Sequence, residues 1–143
     1  MKKLIILVGL LIIINSANAT NIPKNLWKGI IGEAVSEGYK GMYAVACVYK
    51  NRLDKGMPLG CYAMNKKNLN SFVRQQGKRY EEIAKRIIWE IFIERKEDIT
   101  EGATHYENVE KFGIPYWAKG MTKIKKIGCH TFYKKRRKNV RHF

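Results

Sequence analysis

The chain has 143 residues, with 28 lysines and arginines against 12 aspartates and glutamates, for a formal net charge of +16. That length bounds it to one ordinary domain, and no Gly/Ser-rich or Pro-rich linker and no internal repeat divides it. The charge says little about fold, but it points to anionic polymers or surfaces as partners and predicts that salt weakens that attraction.

Residues 1–19 read as an export leader. Lys2 and Lys3 form a positive start, residues 4–14 are an unbroken apolar run, and Ala17-Asn18-Ala19 supplies an A-x-A cleavage site. As a helix that run rises only about 16 Å, against a hydrocarbon core of roughly 30 Å, so it is too short for a membrane anchor. The expected locations are secreted, periplasmic or wall-bound. There the anionic partners are wall polymers and lipid headgroups, and no specific nucleic acid is expected. Two of the positive charges leave with the leader, so residues 20–143 remain strongly basic.

Beyond the leader, Leu26, Trp27, Ile30, Ile31, Ala34 and Val35 recur at helical spacing, with Gly38 as a stop. Residues 41–53 (GMYAVACVYKNRL) predict a second helix with Met42, Val45, Ala46 and Tyr49 on its apolar side. Residues 54–64 carry Gly56, Pro58 and Gly60 and predict a loop. Residues 80–94 give the clearest helix, with a stripe of Tyr80, Ile83, Ala84, Ile87, Ile88 and Ile91. From residue 98 the texture changes. Residues 102–106 and 128–133 are short β-prone runs, separated by an irregular aromatic stretch over 112–121. The basic run 134–143 predicts a tail without core contacts. The expected fold is mostly helical α+β, one domain over residues 20–133 with a small β lobe. Nothing in the sequence calls for more than a monomer.

Three cysteines, an odd number, leave at least one thiol unpaired within the chain, and export makes a Cys61 bridge permissible. Cys47 lies in an apolar helical stretch and reads as a buried small hydrophobe. His105, His130 and the cysteines lack the spacing of a zinc site, so no metal and no other cofactor is expected.

Glu33 is the first candidate for chemistry. At 100° per residue it falls on the shoulder of the first helix's buried face, where partial desolvation favours the protonated carboxyl. Glu37, one turn on, is expected to push the same way as a like charge. A carboxylic acid kept protonated suits a general acid for glycoside cleavage. His105 and His130 lie beside aromatics, Tyr106, Phe132 and Tyr133, as sugar-binding clefts require. A Cys129–His130 nucleophile pair is disfavoured because adjacent residues on a strand face opposite ways.

Four ordered blocks carry a family resemblance. Gly32-Glu33-Ala34 with Glu37, followed by YAVACVYKNRL, resembles the opening of the SleB/CwlJ-type cell-wall hydrolases. GATHYEN from Gly102, PYWAKGMT from Pro115 and IGCHTFYK from Ile127 resemble that family's C-terminal blocks. The resemblance implies a lysozyme-like fold and peptidoglycan as substrate. The bond it implies is the β-1,4 link between N-acetylmuramic acid and N-acetylglucosamine, cut by a lytic transglycosylase or a muramidase. The family's catalytic glutamate falls on Glu33, with Glu37, Thr104, His105, Tyr106, His130 and Tyr133 expected to bind substrate. The chain departs from the family where Val35 and Ser36 replace an arginine and a glycine, and Asn70-Ser71-Phe72 is the nearest approach to a Q-F-S-like element. The competing expectation is a non-catalytic cationic protein that binds envelopes or glycan by charge.

Overall fold

A computed structural model describes residues 21–137. The leader at 1–19 lies outside the described residues, as does the tail beyond 137.

The helical lobe starts with α1 (Leu26–Ala34), which buries Leu26, Ile30, Ile31 and Ala34. Gly32 lets the neighbouring segment lie directly on the helix backbone, since a Cβ there would come within 2.7 Å of the Ala63 Cβ. A 3₁₀ turn over Tyr62–Asn65 uses that approach. The helix does not run on to Gly38. It breaks after Ala34 into a 3₁₀ turn, Val35–Glu37, and Gly38 at φ 67° redirects the chain into α2 (Gly38–Asp54). This corrects the expectation of one continuous helical wheel through Glu37.

Helix α2 is buried without a break from Gly41 to Tyr49, not only along Met42, Val45, Ala46 and Tyr49. The reason is its central position. One side packs into the main core with α1 and α4, while Ala44 and Val48 join Ala103, Ile127 and Phe132 under the sheet. A helix enclosed on all sides is apolar all round. Helix α3 (Leu69–Gln76), an addition to the expected elements, docks through Leu69 and Val73. Helix α4 (Lys78–Ile88) follows and widens into a π-helical turn at Trp89–Ile93. That turn buries Glu90, whose carboxylate accepts from Tyr39 Oη, from Lys96 Nζ at 2.9 Å and from Arg86 Nε at 3.2 Å.

The strand lobe is a three-stranded antiparallel sheet in the order β1-β3-β2, formed by β1 (His105–Glu107), β2 (Met121–Ile127) and β3 (His130–Lys135). A short helix α5 (Val109–Phe112) and a 3₁₀ turn (Tyr116–Gly120) link β1 to β2. His105 pairs with Tyr133, and Tyr106 with Phe132. Strand β2 is an addition to the expected elements, and Lys134 and Lys135 end β3 where the sequence predicted the start of the tail. The expectation of a mostly helical α+β fold with a small β lobe holds.

The three cysteines are free. Cys47 is buried as expected, Cys61 is also buried, and Cys129 is exposed. Burial pushes the Cys47 thiol up to about 12.

Candidate active site

The joint between the lobes is fixed by side chains at the end of α2. Asn51 Nδ2 donates to Asp98 Oδ2 at 2.7 Å and to the Ala103 carbonyl at 2.9 Å. Arg52 donates to the Thr104 carbonyl at 2.9 Å and the Pro58 carbonyl at 2.7 Å. Asp98 also accepts from Thr100 N, Thr100 Oγ1 and Gly102 N, at 2.8, 2.6 and 2.8 Å. Its burial raises the carboxyl, but these hydrogen bonds outweigh burial and hold it below the ordinary range. The segment entering β1 is thereby tied to the helical lobe, and a cleft of about 590 Å³ opens between the two.

Glu33, Glu37, Thr104, His105, Tyr106 and His130 all line this cleft. Tyr133 does not. It is buried behind Trp117, whose ring meets it edge-on with centroids 5.4 Å apart. The cleft residues that sequence reasoning left without a role are Tyr49, Arg52, Tyr62, Lys66, Lys111, Phe112 and Trp117. Asn51-Arg52 was visible as a motif, and the structure supplies its task of holding the strand-lobe carbonyls.

Glu33 reaches the cleft from α1, and the N–H of Ala63 donates to its Oε1 at 2.9 Å. The close approach at Gly32 is what brings Ala63 there. The Tyr106 hydroxyl meets the Tyr49 hydroxyl, and both phenols lie close enough to Glu33 to feel its charge. Burial raises both phenols well above their ordinary range, so they stay protonated donors.

Glu37 is placed differently from its expected role. Because α1 ends at Ala34, Glu37 turns away from Glu33 and points at the hairpin between β2 and β3. Its Oε1 accepts from Cys129 N, and its Oε2 lies 2.7 Å from His130 Nδ1. Burial raises the Glu37 carboxyl, but the bonds from His130 and the Cys129 amide outweigh it and hold it below the ordinary carboxylate value. The expectation that it acts as an unpaired like charge on Glu33 is corrected. His130 in turn stands edge-on to Tyr106, with centroids 4.9 Å apart and rings at 87°.

His105 lies on the other flank, its Nδ1 2.9 Å from Thr104 Oγ1 and its ring 5.2 Å from that of Trp117. Desolvation, then the charges of Arg52 and Lys135, keep it below the usual imidazole range. Tyr62 and Phe112 are largely exposed and Trp117 partly so, which leaves apolar ring surface at the cleft mouth. Among the described residues no group of three or more His, Cys, Asp or Glu could hold a metal ion.

A mostly helical domain with a small sheet and a cleft between them, lined by glutamates and aromatic rings, defines the class by geometry. The family is narrower. The chain belongs to the Cell Wall Hydrolase family, the one that contains SleB and CwlJ, and the family model matches residues 36–133. Peptidoglycan is therefore its substrate, and the expected relationship holds. The matched segment takes in Glu37 and the three C-terminal blocks as far as Tyr133, while Glu33 stands just upstream of it. No curated protein and no solved structure matches the chain.

Proposed function

We propose that the protein is an exported glycan-cleaving enzyme that cuts the β-1,4 bond between N-acetylmuramic acid and N-acetylglucosamine, with Glu33 as acid and then base. The observation that carries this reading is the isolation of Glu33 among the carboxylates of the cleft. Glu37 is taken up by Cys129 and His130, and Glu107 Oε1 accepts from the Asn108 amide at 2.9 Å. Glu33 alone is oriented by the amide of a neighbouring segment and left to line the opening.

In the proposed first step the Glu33 carboxyl gives its proton to the glycosidic oxygen, and the C1–O bond of the muramyl unit breaks. In the second step the carboxylate takes a proton from the group that attacks C1. When that group is the muramyl 6-hydroxyl, the product is a 1,6-anhydro ring and no water is consumed. When it is water, the product is a reducing end. One carboxyl group serves both steps, unlike the flanking pair of an ordinary glycosidase. The Tyr106 phenol, kept protonated by burial, lines the cleft beside Glu33 as a potential donor. Exposed rings at the mouth supply flat apolar faces for pyranose stacking. The leader at residues 1–19 supports action outside the membrane, and the basic charge supports retention on anionic wall polymers.

The test is Glu33→Gln, which keeps shape and charge-driven binding but removes the proton. Wild type and variant are incubated with purified sacculi, and the soluble products are weighed by mass spectrometry. The expected outcome is loss of muropeptide release by at least about 100-fold. Undiminished release by the variant would overturn the assignment. Anhydro-muramyl ends identify the transglycosylase route and reducing ends the hydrolase route. Glycan-neutral binding without release by wild type would favour the non-catalytic cationic reading.

A further inference from the structure

We propose that Glu37 is a positioning residue for this site, an inference that rests on reading Glu33 as the acid. Its carboxylate fixes the hairpin tip and, through the His130 ring, holds the Tyr106 hydroxyl beside Glu33. Seclusion argues first for this role. The side chains of Glu37 and His130 are only 5% and 12% exposed, so the pair offers substrate little carboxylate to touch. Both Glu37 oxygens are occupied, one by the Cys129 amide and one by a 2.7 Å contact with His130 Nδ1, a buried nitrogen with no hydrogen-bond partner of its own.

The seat is also shaped for this group. Gly128 sits at φ 59° in the hairpin turn, and a Cβ there would overlap Glu37 Oε1. A Cβ at Gly41, on the first turn of α2, would overlap the Glu37 Cβ. Two glycines from separate elements thus leave room for one side chain. From the seat the contacts run inward. His130 stands at 87° to Tyr106, and Tyr106 meets Tyr49 while lining the cleft beside Glu33. The only buried charge in this series that comes from the helical lobe and grips the strand lobe is Glu37. A carboxylate 2.7 Å from Nδ1 restricts the orientations open to the imidazole ring. An ångström of displacement at a reacting group costs on the order of 100-fold in rate.

The full-length chain is tested by steady-state kinetics on solubilised glycan strands prepared from sacculi. Glu37→Gln keeps the shape and an acceptor for the Cys129 amide but removes the charge facing His130. It is expected to lower kcat by about 10- to 100-fold with KM within about twofold, the mark of an interaction that matters to the transition state rather than to binding. Gly128→Ala displaces the carboxylate without altering any titratable group and is expected to lower kcat similarly. In the Tyr106→Phe background Glu37→Gln is expected to add little further loss, because both act through the same hydroxyl. Wild-type kcat in Glu37→Gln, a change confined to KM, or full additivity with Tyr106→Phe would each overturn the proposal. If Glu37→Gln does not fold, Gly128→Ala and its cycle with Tyr106→Phe decide the matter on the same criteria. Should Glu33→Gln be fully active, the acid assignment itself falls. An inactive Glu33→Gln beside a fully active Glu37→Gln would sink only the positioning role.

Discussion

In the helical lobe Leu26, Ile30, Ile31, Met42, Val45 and Ile87 are essentially without exposure and pack on one another. Among the described residues the strand lobe sets the buried Ala103, Ile127 and Phe132, with half-buried Ile99 and Tyr106, against Ala44 and Val48 of α2. What docks it is polar: Asp98 and Asn51 at one end, Arg52 in the middle, Glu37 at the hairpin. The contrast teaches that one lobe is built by removing apolar area from water, while the other is located by directional bonds from the first. Burial is tolerant of small shifts, whereas hydrogen bonds fix distances to a few tenths of an ångström. The cleft lies where the second kind of contact dominates.

Several substitutions sharpen or break that contrast. Ile31→Ala should cost roughly 2–5 kcal/mol, read as a lowered chemical midpoint for the whole chain, because it opens a cavity in the main core. Asp98→Ala should cost about 2–4 kcal/mol, since it strands the Thr100 and Gly102 amides and Asn51. Its signature should differ from that of Ile31→Ala. Amide exchange should quicken across β1 and β3 while α1 and α4 stay protected, and muropeptide release should fall. Equal loss of protection in both lobes would break the distinction.

Acid should act in the same direction. Glu37 and Asp98 are both held below their ordinary values of 4.5 and 3.8. The unfolded chain therefore takes up these protons at a higher pH than the folded one. The associated stability is present above about pH 4.5 and is lost as pH falls below it. Glu90, held down first by Tyr39 and then by Lys96, is the helical lobe's own counterpart. The Cys129 and Gly102 amides should nevertheless lose exchange protection before those of α1. At the small end, Cys129→Ser should change stability by no more than about 0.5 kcal/mol, as expected for an exposed side chain away from the packed core.

The sequence made the apolar stripes of α1 and α4 legible, because 3.6-residue periodicity survives wherever a helix has one wet face. It revealed less where that condition failed. Helix α3 buries only Leu69 and Val73, a single i, i+4 pair in a polar segment. Strand β2 is masked by its lysines and by a register shift between Lys123 and Lys125 that disturbs the alternation. Most cleft residues were recognisable because ordered blocks carry them, yet the task of Glu37 was not. A helical wheel assumes 100° per residue, and the turn at Val35–Glu37 departs from it just before the residue that matters. Tyr133 illustrates the reverse error. Its aromatic neighbourhood was clear from sequence, but the ring is covered by Trp117, a contact between distant residues that sequence does not display.

Strand β2 also shapes how molecules meet one another. It lies at the rim of the sheet, so one row of its backbone groups has no neighbouring strand among the described residues. Such a row invites another chain to add itself. Lys123, Lys125 and Lys126 stud it with charge, Lys125 and Lys126 anchored to Glu101 and Glu110, and the irregular register interrupts a flat approach. Crowded copies are thus kept from stitching their sheets together. Replacing Lys123 and Lys125 by threonine should remove that safeguard, and light scattering at high concentration would register the resulting self-association.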